Sequence, residues 1–304
     1  MEVVRGSESV PPSLRRGIVT IGNFDGLHLG HQRIMEIVTG RASALRCPAV
    51  VFTFDPHPRK VIRPNTAPAL LTTPEQKLKL LEAARIDAVV IEPFTEEFAR
   101  HDAGAFVRDV VHARLAPREV YVGYDFHFGR DREGSRKNLT ELGPALGFSV
   151  TVIPEVTVSD EPVNSTRIRA LLAGGDIESA GRLLGRSYAV RGEVASGDRR
   201  GRTIGFPTAN LRAENEVLPQ EGVYATRVTF LDDGTPPRGA VFDAVTNVGR
   251  RPTFKESDPV LAETHLFDFA EDVYGRRIEV HFIYRIRGER KFDSPDALVT
   301  QIRV

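Results

Sequence analysis

Residues 17–32 read Gly17-Ile18-Val19-Thr20-Ile21-Gly22-Asn23-Phe24-Asp25-Gly26-Leu27-His28-Leu29-Gly30-His31-Gln32. Ile18 to Ile21 is a short apolar run, the pattern of a strand buried inside a parallel sheet. From Gln32 the apolar residues Ile34, Ile37 and Val38 return at helical spacing. The segment is therefore a strand, a glycine-bearing loop and the start of a helix. In an open parallel sheet such a junction lies at the carboxyl edge, where ligands bind. The helix N-terminus offers free N–H groups and partial positive charge to a phosphate. His28 and His31, three residues apart, lie one above the other on the first turn. Gly30 between them lets a phosphate or ribose approach the backbone closely.

Working outward, the same kind of run recurs at Ala49–Phe54, Ala88–Ile91, Val120–Val122 and Phe148–Ile153. Helical patterns fall between them. Thr73-Pro74-Glu75-Gln76 is a capping box with Pro at the first helical position. Leu78, Leu80, Leu81 and Ala84 supply most of an apolar face behind it. Ser165 can cap a helix through Leu172, stopped by Gly174 and Gly175, and Asp176 can cap another through Leu184. Strand and helix in alternation predict a doubly wound α/β sheet for residues 1–184.

The period changes near Gly185–Tyr188. Tyr224, Thr226, Val228 and Phe230 alternate with other residues, as do Ile278, Val280, Phe282, Tyr284 and Ile286, with Ile283 as an outward apolar exception. Turn signals stand between such runs, at Asp233-Gly234, Pro236-Pro237 and Tyr274-Gly275. Short alternating strands and turns predict an all-β barrel or sandwich for residues 185–304. No Pro- or Ser-rich linker marks the junction, so the two domains are expected to pack closely.

Composition narrows the function. Lys plus Arg and Asp plus Glu both number 41 in 304 residues, so the formal charge is zero, against a whole-surface nucleic-acid binder. A local phosphate site needs only a few donors and stays open. The one cysteine, Cys47, allows neither an internal disulfide nor a Cys-rich zinc site. No run of about 18 apolar residues suggests a membrane span, and the N-terminus lacks the apolar core of a secretory signal. A cytoplasmic protein is the expectation.

On the residues alone the histidine pair has three readings: surface histidines at a helix start, half of a metal site with no obvious third ligand, or imidazole donors aimed at a phosphoryl group. The length of the string Gly-x-Phe-Asp-Gly-x-His-x-Gly-His favours the last. In the second half, Gly197, Gly201 and Arg202 suggest phosphate binding. Three residues, not four, separate those glycines, and Arg stands where a Walker loop has Lys, so this is not a P-loop. A plain glycine-rich turn remains an alternative reading.

His-x-Gly-His in this setting resembles the nucleotidyltransferase superfamily, which shares it with class I aminoacyl-tRNA synthetases. More narrowly, GNFDGLHLGHQ (22–32), FTFDPHP (52–58), GYDFHFG (123–129) and STRIR (165–169) resemble, in order and spacing, the adenylyltransferase half of the bacterial bifunctional riboflavin kinase/FMN adenylyltransferase family. GRTIGFPTAN (201–210), GVYA (222–225), TNVGRRPTF (246–254), ETHLFDF (263–269) and YGRRIEVHF (274–282) resemble its kinase domain, a small antiparallel barrel.

The resemblance implies ATP over the loop of Gly22, Asn23, Phe24, Asp25 and Gly30. His28 and His31 would act on the phosphates, and Ser165, Thr166 and Arg167 would grip them. Asn164 stands where many relatives have a further serine. Asp55, Pro56, His57, Asp125, Phe126 and Phe128 would form the FMN pocket; core packing is the alternative for the two Phe. In the barrel, Gly201, Arg202, Gly205, Pro207 and Thr208 would bind ATP. Thr208 and Asn210 would hold Mg²⁺, and Glu263 would be the base toward the riboflavin 5′-hydroxyl. Asn247, Gly249, Arg250 and Thr253 would lie in a flap over the substrates. Relatives usually continue with a C-terminal helix beyond the point where this sequence stops; Asp293 or Ser294 can cap only a short one.

The implied partners are ATP, riboflavin, FMN and FAD, with no nucleic acid, no membrane, and room for self-association. Three competitors remain: a nucleotidyltransferase for another acceptor, a flavin-binding regulator without turnover, and a nucleic-acid binder using the arginines of the second half.

Overall fold

The computed structural model describes residues 1–129, 134–195, 207–249, 261–290 and 301. The chain divides into two compact units, Met1–Asn164 and Ser165–Val304.

The first unit is a six-stranded sheet of β1 (Glu2–Arg5), β2 (Ile18–Ile21), β3 (Ala49–Asp55), β4 (Ala88–Pro93), β5 (Glu119–Gly123) and β6 (Ser149–Ile153). Their order is β1-β4-β3-β2-β5-β6 and every neighbouring pair is parallel. β2 and β3 are buried along nearly their whole length, as expected for strands covered on both faces. β1 is an edge strand that the sequence does not announce. Of its four residues only Val4 is buried, so no apolar run appears. β6 begins at Ser149, one residue after the expected Phe148, which instead packs into the core. From β2 the chain moves through β3 and β4 to one side, and β5 and β6 lie on the other. The loop after β2 therefore opens at the point where strand order reverses.

Helix α1 (Leu29–Leu45) follows that loop, and α2 (Pro74–Ala83) starts at the expected capping box. There the Gln76 N–H donates to Thr73 Oγ1 at 3.2 Å, and the Thr73 N–H donates to Gln76 Oε1 at 3.0 Å.

The second unit opens with α3 (Ser165–Ala173) and α4 (Ile177–Leu184). Ser165 is the first residue of its helix, not the cap. Asp176 does cap α4, accepting from the Ser179 N–H at 3.0 Å. A closed antiparallel barrel follows, of β7 (Tyr188–Ala195), β8 (Ala209–Ala213), β9 (Gly222–Phe230), β10 (Val241–Gly249), β11 (Leu261–Leu266) and β12 (Arg277–Arg287), in the order β7-β8-β11-β10-β9-β12. Gly192 of β7 is required by closure, because a Cβ there would come 2.1 Å from the Arg212 carbonyl oxygen of β8. Tyr224, Thr226, Val228 and Phe230 all point into the barrel, as their alternation predicts.

The alternation read across Ile278–Ile286 needs correction. Ile278, Val280 and Phe282 are buried, but Tyr284 and Ile286 are 52% and 50% exposed. Phe282 pairs with Thr226 and Tyr284 with Ala225, so Ile283 is an extra residue on β12. This bulge reverses which residues face inward, and Arg285 takes the inward phase. Inside the barrel a polar ladder crosses three strands. The Thr226 and Thr246 hydroxyls are 2.8 Å apart, and those of Thr246 and Thr264 are 2.9 Å apart.

Candidate active sites

In the first unit the expected residues come from three loops at the carboxyl ends of β2, β3 and β5. The β2 loop is tightly wound. Phe24, Gly26 and Leu27 have φ of 49°, 79° and 37°, all in the left-handed region. Phe24 is 3% exposed and covers Gly22, where a Cβ would meet the ring at 3.0 Å. Phe24 thus packs beneath the loop, with its ring edge-on to His31 at 5.2 Å between centroids.

Asp25 is 4% exposed and anchors the loop. Its carboxylate accepts from the Leu71 N–H at 2.9 and 3.1 Å, and from the Thr72 N–H and hydroxyl at 3.3 Å each. Gly26 N–H donates in turn to Thr72 Oγ1 at 3.3 Å. These bonds fix the loop to the segment leading into α2.

His28 caps α1: its Nδ1 accepts the His31 N–H at 3.4 Å. An accepting Nδ1 places the proton of the neutral ring on Nε2, which makes that nitrogen a donor. The two imidazoles are stacked, with centroids 3.7 Å apart and planes at 19°. A Cβ at Gly30 would meet the His28 ring at 3.2 Å, so glycine keeps the capping ring in place. Loss of water, then the neighbouring His28, then the Lys77 ammonium hold His31 well below the usual histidine range. His31 Nδ1 and Asn23 Oδ1 are buried with no hydrogen-bond partner among the described residues. Unpaired buried polar atoms are costly and rare, and here both belong to the expected ligand loop.

The β3 loop exposes Asp55 and Pro56, joined by a cis peptide. His57 is half-buried and caps the short helix Pro58–Ile62, its Nδ1 accepting the Arg59 N–H at 3.2 Å. In the β5 loop Asp125 is exposed and Phe126 half-buried. Phe128 is 8% exposed and packs on Phe106 at 5.2 Å, so it is a core residue. Phe126 stacks on it at 5.5 Å and 24°, leaving Phe126 the better placed of the pair to offer a face. The Tyr124 phenol is pushed up to about 12, first by its hydrogen bond to Glu155 and then by burial, so it keeps its proton. Ser165, Thr166 and Arg167 form the first turn of α3, in the second unit.

In the barrel, strand register juxtaposes three candidates. Asn210 on β8 pairs with Glu263 on β11, which pairs with Asn247 on β10. All three are half-buried, while Thr246 and Thr264 beside them point inward. The row therefore lies on the outer face. Thr208 is half-buried two residues before Asn210, and the carbonyl of the exposed Pro207 lies 2.8 Å from His265 Nδ1. Asn247 and Gly249, expected in a flap over the substrates, lie at the end of strand β10. Gly201, Arg202, Gly205, Arg250, Thr253 and the expected C-terminal helix lie outside the described residues.

The sequence reading passed over Lys77. It sits one turn into α2, behind the segment that Asp25 holds, and its charge acts on His31 while Asp25 and Asp55 act on it. Its spacing in the amphipathic pattern of α2 is that of an ordinary surface lysine, so no local signal marks it.

The chain matches the family described as FAD synthetase over residues 10–167 and the one described as riboflavin kinase over residues 184–304. It is 37% identical over 302 residues to the bifunctional riboflavin kinase/FMN adenylyltransferase of Haemophilus influenzae, covering 99% of this chain and 96% of that protein. The Escherichia coli K12 protein of the same name is 36% identical over 303 residues, with 99% and 95% covered. A crystal structure described as a macrolide-efflux protein from Streptococcus pneumoniae superposes with TM-score 0.87 at 28% identity, covering 100% of this chain and 97% of that one. Among the described residues no helix is long and apolar enough to cross a membrane. A parallel-sheet unit with paired histidines at its switch point, a closed barrel with Glu263 between two asparagines, and relatives matched end to end lead to one assignment: the chain belongs to the family of bifunctional riboflavin kinase/FMN adenylyltransferases.

Proposed function

We propose that the family's two activities are divided here by fold, with FMN adenylylated to FAD on the parallel sheet and riboflavin phosphorylated to FMN on the barrel. The observation that carries the first half is the stacked His28–His31 pair at the start of α1, on a loop with two buried polar atoms lacking partners among the described residues. ATP lies over Gly22, Asn23 and Gly30. A phosphate oxygen of FMN attacks the α-phosphorus, and pyrophosphate leaves. His28 and His31 stabilise the charge that develops on the departing phosphates, and no covalent intermediate is needed. His31, held neutral in the free chain, gains proton affinity when the triphosphate arrives, because an adjacent anion favours the charged form. Asp25 orders the loop from within. Asp55, Pro56, His57, Asp125 and Phe126 border the flavin, and Ser165, Thr166 and Arg167 are assigned to the phosphates by their place in the motif.

In the barrel, Glu263 accepts the proton from the riboflavin 5′-hydroxyl as the γ-phosphoryl group of ATP is transferred. Asn210, in register with that carboxylate, and Thr208, two residues before it, offer hard oxygen donors, a set that would suit Mg²⁺ carried by ATP phosphates. When bound there, such an ion would supply positive charge that offsets the phosphate charge, with Thr208 and Asn210 as the residues that would hold it. Asn247 flanks Glu263 on the side opposite Asn210. The riboflavin kinase match beginning at residue 184 supports a functional boundary at 184/185. The packing boundary falls earlier because α4 packs against β7 and β12. Substrates of this kind suit a cytoplasmic enzyme.

The test is chromatography of flavins after incubation of the chain with riboflavin and MgATP, beside a parallel incubation with FMN. FAD from riboflavin is expected. FAD from FMN alone would remove the kinase assignment, and flavin bound without turnover in either tube would favour a regulator.

A further inference from the structure

We propose that Lys77 is a phosphate-binding residue of the adenylyl-transfer site, serving the ground between the His28–His31 loop and Asp55 and receiving the 5′-phosphate of FMN. This rests on the placement of FMN adenylylation in the first unit.

Three observations converge on it. First, Lys77 lies in the first turns of α2, and the residues just before that helix are tied to the β2 loop by the Asp25 carboxylate. The helix is therefore registered to the loop that carries the histidines. Second, the side chain is half-buried, yet no carboxylate among the described residues comes within ion-pair distance of its ammonium. A desolvated, unpaired ammonium is unfavourable unless an anion completes its surroundings. Third, Lys77 is electrostatically coupled to His31 and to Asp25 and Asp55. His31 belongs to the nucleotide loop, and Asp55 begins the loop assigned to the flavin.

The reaction needs a cation in that position. The nucleophile is an oxygen of the FMN phosphate, and its target is the α-phosphorus of a polyanionic triphosphate. One P–O bond forms, the bond to the pyrophosphate oxygen breaks, and no proton or electron is exchanged. The obstacle is repulsion between two anions brought into contact. A lysine that stays protonated throughout lowers that repulsion and orients the attacking phosphate. The histidines face the other, departing end of the same displacement.

Lys77→Met tests this in the full chain. The kcat/KM for FMN in adenylylation is expected to fall about 10- to 100-fold, the range for losing a charge-assisted hydrogen bond. Phosphorylation of riboflavin by the same preparation should stay within twofold, which certifies the barrel unit, and an unchanged thermal unfolding transition certifies the first unit. Lys77→Arg should recover most of the loss. An independent readout is the imidazole titration of His31 followed by NMR in the absence of substrates. Removing the Lys77 charge should raise its midpoint, with His28 unaltered beside it. Unchanged FMN kinetics in Lys77→Met, a loss confined to the KM for ATP, or an unmoved His31 titration would each overturn the assignment. Failure of the unaltered chain to make FAD from FMN would instead overturn the activity on which it rests.

Discussion

The ring of His28 lies on the ring of His31, with centroids 3.7 Å apart and planes 19° from parallel, while its Nδ1 accepts the His31 backbone N–H. One side chain is therefore both the cap of α1 and half of the imidazole pair. The same hydrogen bond that satisfies the helix end fixes the tautomer that can donate toward a phosphate. Replacing His28 removes the cap and the donor together, whereas replacing His31 removes only the second ring. His31→Ala should lower FAD formation about 10²- to 10³-fold, the usual cost of a lost charge-stabilising donor, with little change in thermal midpoint. His28→Ala should lower it similarly and also cost about 1 kcal/mol of stability. Flavin chromatography and thermal unfolding on the same samples check both.

The depressed His31 pKa makes a signed prediction for stability. The unfolded chain has an ordinary histidine near 6.5, and the folded chain holds this one well below that value through burial, His28 and Lys77. Between the two values the unfolded state binds the extra proton, so stability rises with pH there and is flat above about 6.5. His31→Gln should flatten the pH dependence of the melting midpoint as pH drops from 6.5 to 5. A slope identical to that of the unaltered chain would assign the acid sensitivity elsewhere.

Asp25 sits in the motif of the ligand loop, yet its carboxylate is turned to the Leu71 and Thr72 N–H groups. Asp25→Ala should destabilise the first unit by about 3 kcal/mol, because buried donors lose a charged acceptor. FAD formation should fall with it, and riboflavin phosphorylation should persist. Denaturant unfolding monitored with and without ATP checks the size of the effect.

Glu263 stands in register between Asn210 and Asn247 on the outer face of the barrel. Glu263→Gln keeps the shape and removes the base. It should reduce riboflavin phosphorylation about 10²- to 10⁴-fold, the span for general-base loss. FAD made from supplied FMN should be unchanged, which two parallel incubations would reveal.

The threonine ladder gives a contrast within one core. Thr246→Val leaves the buried hydroxyls of Thr226 and Thr264 without their shared partner, and should cost about 1–3 kcal/mol. The triple replacement of Thr226, Thr246 and Thr264 by Val removes every unmatched group and should recover much of that loss. Unfolding of the single and triple variants separates hydrogen bonding from packing.

The sequence by itself determined the elements and their class. The apolar runs at 18–21, 49–54 and 88–91 are buried on both faces, so no other placement hides them, and the capping box at Thr73 is a local hydrogen-bond circuit that needs no distant residue. The motif strings located His28, His31 and Glu263 because each lies beside turn or strand signals written within a few residues. Only the tertiary structure decided the rest. β1 becomes a strand through pairing with β4, not through its own composition. The phase of β12 reverses at Ile283 because closing the barrel against β9 demands an extra residue there. Phe128 is a core residue because Phe106, 22 positions earlier, packs on it. Asp25 turns inward because the N–H groups of residues 71 and 72, brought there by the fold, donate to its carboxylate. The charge of Lys77 acts on His31, and that of Asp55 on Lys77, only because that anchor ties the start of α2 to the loop. Short-range preferences are encoded by neighbours in the chain, whereas burial, charge pairing and register belong to neighbours in space.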